Sequence, residues 1–454
     1  MRDRRKPKPA QRKHAEHKSA RSETGPPQLI QIEKAIYGGS FLAHVEGKAV
    51  FVPLTLPGEA ASVRITEEKR GYATGEVMEI VTSAPERVTP ACRHFGVCGG
   101  CQYQHTDYAT QLALKRAILH ETLERGGVHA PSEIDVLAGT ETEAWGYRNR
   151  IRVAFDAQGN PGYRGRRSNA VVPIAECPIA APLLVRAALA FAEVARLVAP
   201  QMRVEELSLF CDATETAMLA TVFVKSAPRD ILQPLANALA ARTPELSGME
   251  LAVAVGERST EQAPRTIARW GKAHLAYRAA EFDYRVDHGA FFQVNRHLVD
   301  ALVDRVTANR KGSLAWDLFA GVGLFAQKLA GSFERAIAVE SAPAAMPGLE
   351  ENLRGTNGSA VQAWTLNFLR GKAKHEQPDL IVVDPPRAGL GAEITTALAE
   401  IGAPAMTYVS CDPATLARDL RALLASGYAI ECVTLADLFP QTFHLETVVH
   451  LRRA

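Results

Sequence analysis

Seven cysteines punctuate the chain, and four of them have a spacing suited to metal chemistry. Cys92, Cys98 and Cys101 form a C-x5-C-G-G-C run, and Cys177 stands far downstream in front of Pro178. An odd, unevenly spaced set argues for metal binding or catalysis over a disulfide framework. The two glycines let backbone approach a bulky inorganic core, and the proline restrains the last ligand. Tetrahedral zinc accepts four cysteines, but usually as two paired C-x2-C knuckles. Three close cysteines with one remote partner suit a [4Fe-4S] cluster better. Zinc and plain structural thiols stay open as alternatives. Cys211 and Cys432 lie within apolar runs and read as small buried residues.

A second set of residues suits a methyl donor. Asp317-Leu-Phe-Ala-Gly321-Val-Gly323-Leu-Phe follows an apolar run and opens a helical pattern. Glycines there admit a cofactor close to the backbone, and the helix start offers free N–H groups. Glu340 ends the next apolar run, where an acid can hold ribose hydroxyls. The third glycine of a dinucleotide fingerprint is missing, which favours S-adenosylmethionine. Asn367 and Asp384 are expected at later strand–loop junctions on the same edge.

Two further junctions carry reactive side chains: Val383-Asp384-Pro385-Pro386-Arg387 and Tyr408-Val409-Ser410-Cys411-Asp412-Pro413. A lone cysteine is most simply a buried small residue. Beside a methyl-donor pocket Cys411 reads differently. C5 of uracil is not nucleophilic, but thiolate addition at C6 makes an enolate that is. A base must then take the C5 proton. Phe439-Pro-Gln-Thr-Phe-His444-Leu-Glu446 offers His444 and Glu446 two apart, which in a strand puts both on one face.

The elements that must position these groups follow from turn signals and periodicity. Residues 28–82 read as five short strands without a helix: Gln28–Glu33, Ser40–Val45, Ala49–Leu54, Ala61–Thr66 and Ala73–Val81. That pattern suits an OB-type β-barrel. Asp107 opens a helix to Arg125, closed by Gly126. Between Tyr147 and Arg285, strands mix with alanine-rich helices over Ala181–Val198 and Arg229–Ala241. After Asn295, helices alternate with apolar strands Leu314–Phe319, Arg335–Glu340, Asp379–Asp384, Ala405–Ser410 and Ala429–Leu435. Such alternation predicts a parallel, doubly wound sheet. The expected division is a basic arm over 1–27, a barrel over 28–84, an α+β middle domain over 85–285 and a Rossmann-like domain over 286–454.

Composition excludes several classes. With 454 residues, 47% apolar and 22% charged, the chain is neither disordered throughout nor a disulfide-bonded mini-protein. No apolar run reaches 18 residues, and no apolar stretch follows the basic N-terminus, so a membrane span and a secretory signal are not expected. The chain reads as cytoplasmic and monomeric. Net charge is +2, yet residues 1–21 hold nine Lys/Arg against two acids. A basic arm on a mildly acidic body suits attraction to RNA phosphates.

At this point the motifs resemble a known family. Gly38-Gly39-Ser40 with the Leu-Pro-Gly-Glu turn resembles the TRAM domain, an RNA-binding module. From residue 28 onward the chain resembles the RNA uracil-C5 methyltransferases, in particular the ribosomal-RNA branch with a TRAM domain and a [4Fe-4S] cluster. The resemblance implies that Cys92, Cys98, Cys101 and Cys177 are the cluster ligands. It implies that Gln293 in Phe-Phe-Gln-Val-Asn, Phe319, Glu340 and Asp384 line the pocket for S-adenosylmethionine and uracil, with Asn367 at an adenine contact. Cys411 would be the nucleophile and Glu446 the base. Leu324 departs from the pattern, since relatives often carry a polar residue there. The target uridine would be flipped out of its stack, with Phe291, Phe292, Arg148 and Arg150 as expected contacts to bases or phosphates. The implied activity is methylation of a uridine in structured RNA, and for the branch it resembles in 23S ribosomal RNA. Methylation of transfer RNA is the first rival. A non-catalytic RNA-binding or redox-sensing iron–sulfur protein is the second, and the presence of Cys411 and Glu446 argues against it.

Overall fold

The computed structural model describes residues 24–253, 265–371 and 375–453. The expected arm therefore lies outside the described residues up to residue 23. Chain packing divides into two compact units, one of residues up to Lys34 with Ser40–Ala84, the other of Ala35–Gly39 with Pro85–Ala454. No helix among the described residues is long and apolar enough to cross a membrane.

In the smaller unit, the strands lie in the order Thr24–Gln31, Ala60–Glu68, Tyr72–Thr82, Lys48–Pro53, Ser40–Val45, Lys34–Ile36. Phe41, Val50, Val52, Ala61 and Val63 point inward and are buried, the period-2 face that the sequence pattern requires. Three register shifts between Ala60–Glu68 and Tyr72–Thr82 bend this pair, as bulges do. The structure corrects two expectations. Gly25-Pro26-Pro27 is no break, because Thr24–Gln31 is a strand. It sits at the sheet edge, and its pairing jumps from Thr24↔Ile65 to Gln28↔Val63, so the prolines occupy an irregular edge where no ladder N–H is missed. A sixth strand, Lys34–Ile36, is too short to show a period in sequence.

The larger unit contains two extended sheets. The first has seven strands, Val171–Pro173, Pro161–Arg164, Arg150–Phe155, Val204–Cys211, Met218–Val224, Leu246–Val253 and Arg265–Gly271 in spatial order. Helices Pro182–Val198 and Leu232–Ala240 bury their alanine- and leucine-rich faces on it, around Phe191, Leu209, Val222 and Leu235. A hairpin of His274–Ala279 and Phe282–Asp287 leads to the second sheet.

That second sheet runs Gly358–Gln362, Phe333–Glu340, Gly312–Leu318, Leu380–Val383, Ala405–Ser410, Glu446–Arg453, Tyr428–Ala436, Asp135–Leu137. The first five strands are parallel, as expected. The sheet is not parallel throughout, because Glu446–Arg453 is antiparallel to both neighbours. It returns directly from Tyr428–Ala436, and a return without a crossover helix must run antiparallel. The reversal has a functional result. Ser410 pairs with Thr447, so the first residue of the last strand lies at the carboxyl edge of the parallel strands. Ligands of such sheets bind along that edge.

Candidate active site

Three loops at the carboxyl edge bring the expected residues together. After strand Gly312–Leu318 the chain turns through Phe319, Gly321 and Gly323, all with positive φ, before helix Leu324–Ala330. A Cβ on Gly321 would meet nothing within 4 Å, so space stands open above the loop. A Cβ on Gly323 would meet Leu349 at 2.8 Å, so this glycine serves packing. Glu340 ties the loop to the next strand. Its carboxylate accepts from the Gly321 N–H at 2.8 Å, the Ser341 N–H at 2.6 Å and the Ala342 N–H at 2.7 Å. Leu324 is buried in the core, and the Tyr284 hydroxyl donates to its carbonyl at 3.0 Å. The hydrophobic residue at this position is thus held by packing.

Acidic groups crowd the space beside the loop. Burial, with Asp384 nearby, pushes the Asp317 carboxyl up to about 8, and burial pushes Asp384 up to about 7. Cys411 follows strand Ala405–Ser410, and Asp412 caps helix Pro413–Ala425 by accepting from the Ala414 and Thr415 N–H groups at 3.0 Å each. Burial, then Glu446 and Asp384, push the Cys411 thiol up to about 12, with Arg387 opposing. Burial and Asp384 also hold the Glu446 carboxyl well above its ordinary range. Cys411, Glu446 and Asp384 therefore stand within one electrostatic neighbourhood. A carboxyl whose pKa is raised by burial is a stronger proton acceptor once ionised.

His444 is not in a strand with Glu446, as its spacing suggested. The strand begins at Glu446, and His444 lies in the preceding loop, where Pro440 and a left-handed Gln441 forbid regular pairing. Its Nδ1 is 3.3 Å from an Arg387 guanidinium nitrogen. Burial, then Arg387, Arg148 and Lys115, push the imidazole down to about 4. It is therefore neutral at neutral pH and a weak base.

The loop that delivers Glu446 is fixed by four successive carbonyls, each accepting from a different partner. Asn295 donates to Leu438 at 3.2 Å, Lys115 to Phe439 at 2.9 Å and the Tyr147 hydroxyl to Pro440 at 3.0 Å. The Gln441 carbonyl takes the Gln102 and Tyr103 N–H groups at 3.0 and 3.1 Å. Lys115 also pairs with Asp437 at 2.5 Å, both side chains fully buried, and the Tyr108 hydroxyl donates to Asp437 at 2.9 Å. Irregular backbone inside a protein requires this degree of satisfaction.

Other expected residues fall differently. Gln293 is buried, and its carbonyl accepts from the Asn149 side chain at 2.9 Å. Phe291 is 61% exposed, but Phe292 is 2% exposed and packs against Tyr277 with ring centroids 4.5 Å apart. Of the two rings, Phe291 is therefore the one open to solvent. Arg150 is likewise no phosphate contact. It lies over the Phe210 ring at 4.4 Å and donates to the Ala290 carbonyl at 2.6 Å, and burial pushes it down to about 10. Arg148 turns toward the cysteines, where its charge favours the Cys101 and Cys177 thiolates. Asn367 is exposed within helix Thr365–Arg370 rather than at the junction itself, which Trp364 occupies. One residue was missed. Tyr37, in the segment Ala35–Gly39 that belongs to the larger unit, donates its hydroxyl to the Cys411 carbonyl at 3.3 Å. It lies beside a Gly-Gly turn and carried no signal apart from its ring.

The four cysteines of the spaced set lie near one another. Cys98, Cys92 and Cys101 each feel the charge of Cys177, and burial raises all four thiols. Gln104 links two of them, accepting from the Cys92 N–H at 3.0 Å and hydrogen-bonding Cys101. Gly100 N–H approaches Cys98 Sγ at 3.4 Å, and Tyr163 hydrogen-bonds Cys177. A Cβ on Gly99 would come within 3.0 Å of the Arg164 carbonyl, which explains that glycine. Among the described residues, no three His, Cys, Asp or Glu side chains are close enough to hold a single metal ion. Four thiols, a nearby guanidinium and N–H donors to sulfur are a donor set that accepts a cluster, whose ligands bind separate irons.

Comparison with known proteins agrees with this geometry. Residues 210–454 match the family profile described as tRNA (Uracil-5-)-methyltransferase, and residues 21–78 match the TRAM domain. A protein of Streptomyces avermitilis named as an RNA methyltransferase is 34% identical, over 94% of this chain and 98% of its own. A Chromohalobacter salexigens protein named 23S rRNA (uracil(1939)-C(5))-methyltransferase is also 34% identical, over 93% of this chain and 89% of its own. The solved Pyrococcus abyssi tRNA (uracil-54, C5)-methyltransferase, in complex with S-adenosyl-L-homocysteine, matches with a TM-score of 0.74 at 23% identity, covering 93% of this chain and 99% of that one, and so shares the fold. With a TRAM domain on its amino-terminal side and the methyl-donor loop and reactive edge on one sheet, the chain belongs to the S-adenosylmethionine-dependent RNA (uracil-5-)-methyltransferases.

Proposed function

We propose that this enzyme methylates C5 of a uridine in 23S ribosomal RNA through a covalent adduct between Cys411 and C6. The observation that carries the reading is the placement of Cys411 and Glu446 at one carboxyl edge, beside Asp384 and the Glu340-bound loop. The ribosomal substrate is supported by the 34% identical relative named for 23S rRNA and by the four-cysteine set.

In this reading Glu340, Asp384, Gln293, Phe319, Gly321 and Gly323 hold S-adenosylmethionine, with Asn367 toward the adenine. The cofactor supplies the methyl group. The Cys411 thiolate forms a bond to C6, and the electron pair of the C5–C6 double bond makes C5 nucleophilic. Once C5 carries the methyl group, Glu446 takes the C5 proton. The electrons of that C–H bond restore the double bond and expel the thiolate. His444, with its imidazole pushed down to about 4, is a poor acceptor, which favours Glu446 as the base. The cysteines Cys92, Cys98, Cys101 and Cys177 hold a [4Fe-4S] cluster with a structural or RNA-binding role, since methyl transfer moves no net electrons. The division of labour follows the domains expected from sequence, with the barrel now beginning at the strand Thr24–Gln31: the basic arm before it and the barrel grip RNA, 85–285 carries the cysteines, and 286–454 performs the chemistry.

The test uses a denaturing gel with methyl-labelled cofactor and undermethylated 23S RNA. Cys411→Ala should give neither methyl transfer nor a shifted protein–RNA band, because no enolate forms. Glu446→Gln should leave methylated RNA attached to the protein. A shifted band in Cys411→Ala, or its absence in Glu446→Gln, overturns the mechanism. Mapping 5-methyluridine in a deletion strain checks the substrate, and loss from transfer RNA instead of 23S RNA overturns that part.

A further inference from the structure

The loop before Glu446 is held by the segment that carries the cysteines, and one side chain bridges them directly. Gln102 follows Cys101. Its amide nitrogen donates to the Gly99 carbonyl at 2.9 Å, inside the Cys98–Cys101 turn. Its amide oxygen accepts from the Phe443 N–H at 3.3 Å, three residues before the base. The backbone N–H groups of Gln102 and Tyr103 both donate to the Gln441 carbonyl. Gln441 is not glycine, yet its φ is +67° and it is buried. Such a conformation persists only where the surroundings over-determine it. Here Gln111 completes the grip, accepting from the Gln441 N–H and donating to its side-chain oxygen, both at 2.9 Å.

We infer that Gln102 is a positioning residue that couples the four-cysteine turn to the placement of Glu446. A change of conformation at the cysteines would shift Gly99, and the Gln102 amide would carry the shift to Phe443 and onward to the base. The cysteine site then governs one step of the reaction, proton removal from C5 and release of product. It does so without touching substrate. This inference rests on the proposed role of Glu446.

The experiment compares Gln102→Ala, Gln102→Glu and Glu446→Gln in the full-length protein. Gln102→Ala should slow release of methylated RNA about tenfold, the factor that 1.36 kcal/mol produces, so the shifted band accumulates. Affinity for S-adenosylhomocysteine should be unchanged, which a general structural loss would not leave intact. Gln102→Glu keeps an acceptor for the Phe443 N–H but cannot donate to the Gly99 carbonyl, so it should slow release as Gln102→Ala does, because the bridge is cut at its cysteine end. Cys101→Ser perturbs only the far end of the bridge, and by deuterium exchange it should expose the amides of residues 441–445 while those of 406–409 stay protected. If Glu446→Gln retains RNA but Gln102→Ala releases it at the wild-type rate, the coupling is wrong and the base assignment stands. If Glu446→Gln releases RNA normally, both fail. Unchanged exchange at 441–445 in Cys101→Ser also overturns the coupling, whether or not Gln102→Ala folds.

Discussion

In the proposed mechanism Cys411 attacks as a thiolate, yet its surroundings hold it as a thiol. Burial and the negative neighbours Glu446 and Asp384 push it up to about 12, far from the ordinary cysteine value of about 8.5. Alkylation by iodoacetamide, followed peptide by peptide with mass spectrometry, should therefore keep rising by about tenfold per pH unit past pH 9, where an ordinary cysteine levels off. Arg387→Gln removes the cation that opposes the shift, so Cys411 should alkylate more slowly at a given pH. Glu446→Gln removes an anion and should speed it. A plateau near pH 9, or shifts of the opposite sign, would contradict the site electrostatics. The junction that carries Cys411 was legible in sequence because an apolar run ends at Ser410 and Asp412-Pro413 opens a helix. The facing of neighbours was not legible: Phe291 and Phe292 are chemically identical, and only the core of Tyr277 and Phe210 decides which one turns inward.

Among the elements, the glycine loop separates ligand space from packing space. Gly321→Ala places its methyl group in the open region and should cost about 1 kcal/mol for a left-handed alanine, while weakening S-adenosylhomocysteine binding at least about tenfold, as a loss of 1.4 kcal/mol would. Gly323→Ala also meets Leu349, for a cost of about 2–3 kcal/mol, and should lower Tm by roughly 2–4 °C in a unit of this size. Calorimetric titration and thermal unfolding distinguish the two, and a reversed order would refute this division. Helix Tyr108–Arg125 was readable from its Asp107 cap and terminal Gly126, and strand Ala405–Ser410 from its apolar run. The hairpin His274–Ala279 with Phe282–Asp287 was not. Its turn residues Ala280 and Glu281 both have positive φ without the Asn-Gly signature that usually marks such turns. Strands Lys34–Ile36 and Asp135–Leu137 are three residues each, too short for any period to show.

At the scale of the whole molecule, the proposed cluster makes a stoichiometric demand. Protein purified without oxygen should be brown and hold about four irons per chain, and Cys177→Ser should lose colour although that residue is remote in sequence from the other three. Colourless protein with one zinc would reject the cluster. The eight-stranded sheet has a separate consequence for anyone who wishes to divide the chain. Its outer strand Asp135–Leu137 comes from the cysteine-side segment and covers Tyr428–Ala436, through pairs such as Leu435↔Val136. A fragment that begins at residue 286 would keep every residue of the reactive edge and still leave that row of N–H and C=O groups bare. Bare edges recruit other strands, so such a truncation would trade an enzyme for a precipitate. The catalytic half is sealed by a piece of chain made long before it emerges from the ribosome, and synthesis has to keep that piece waiting.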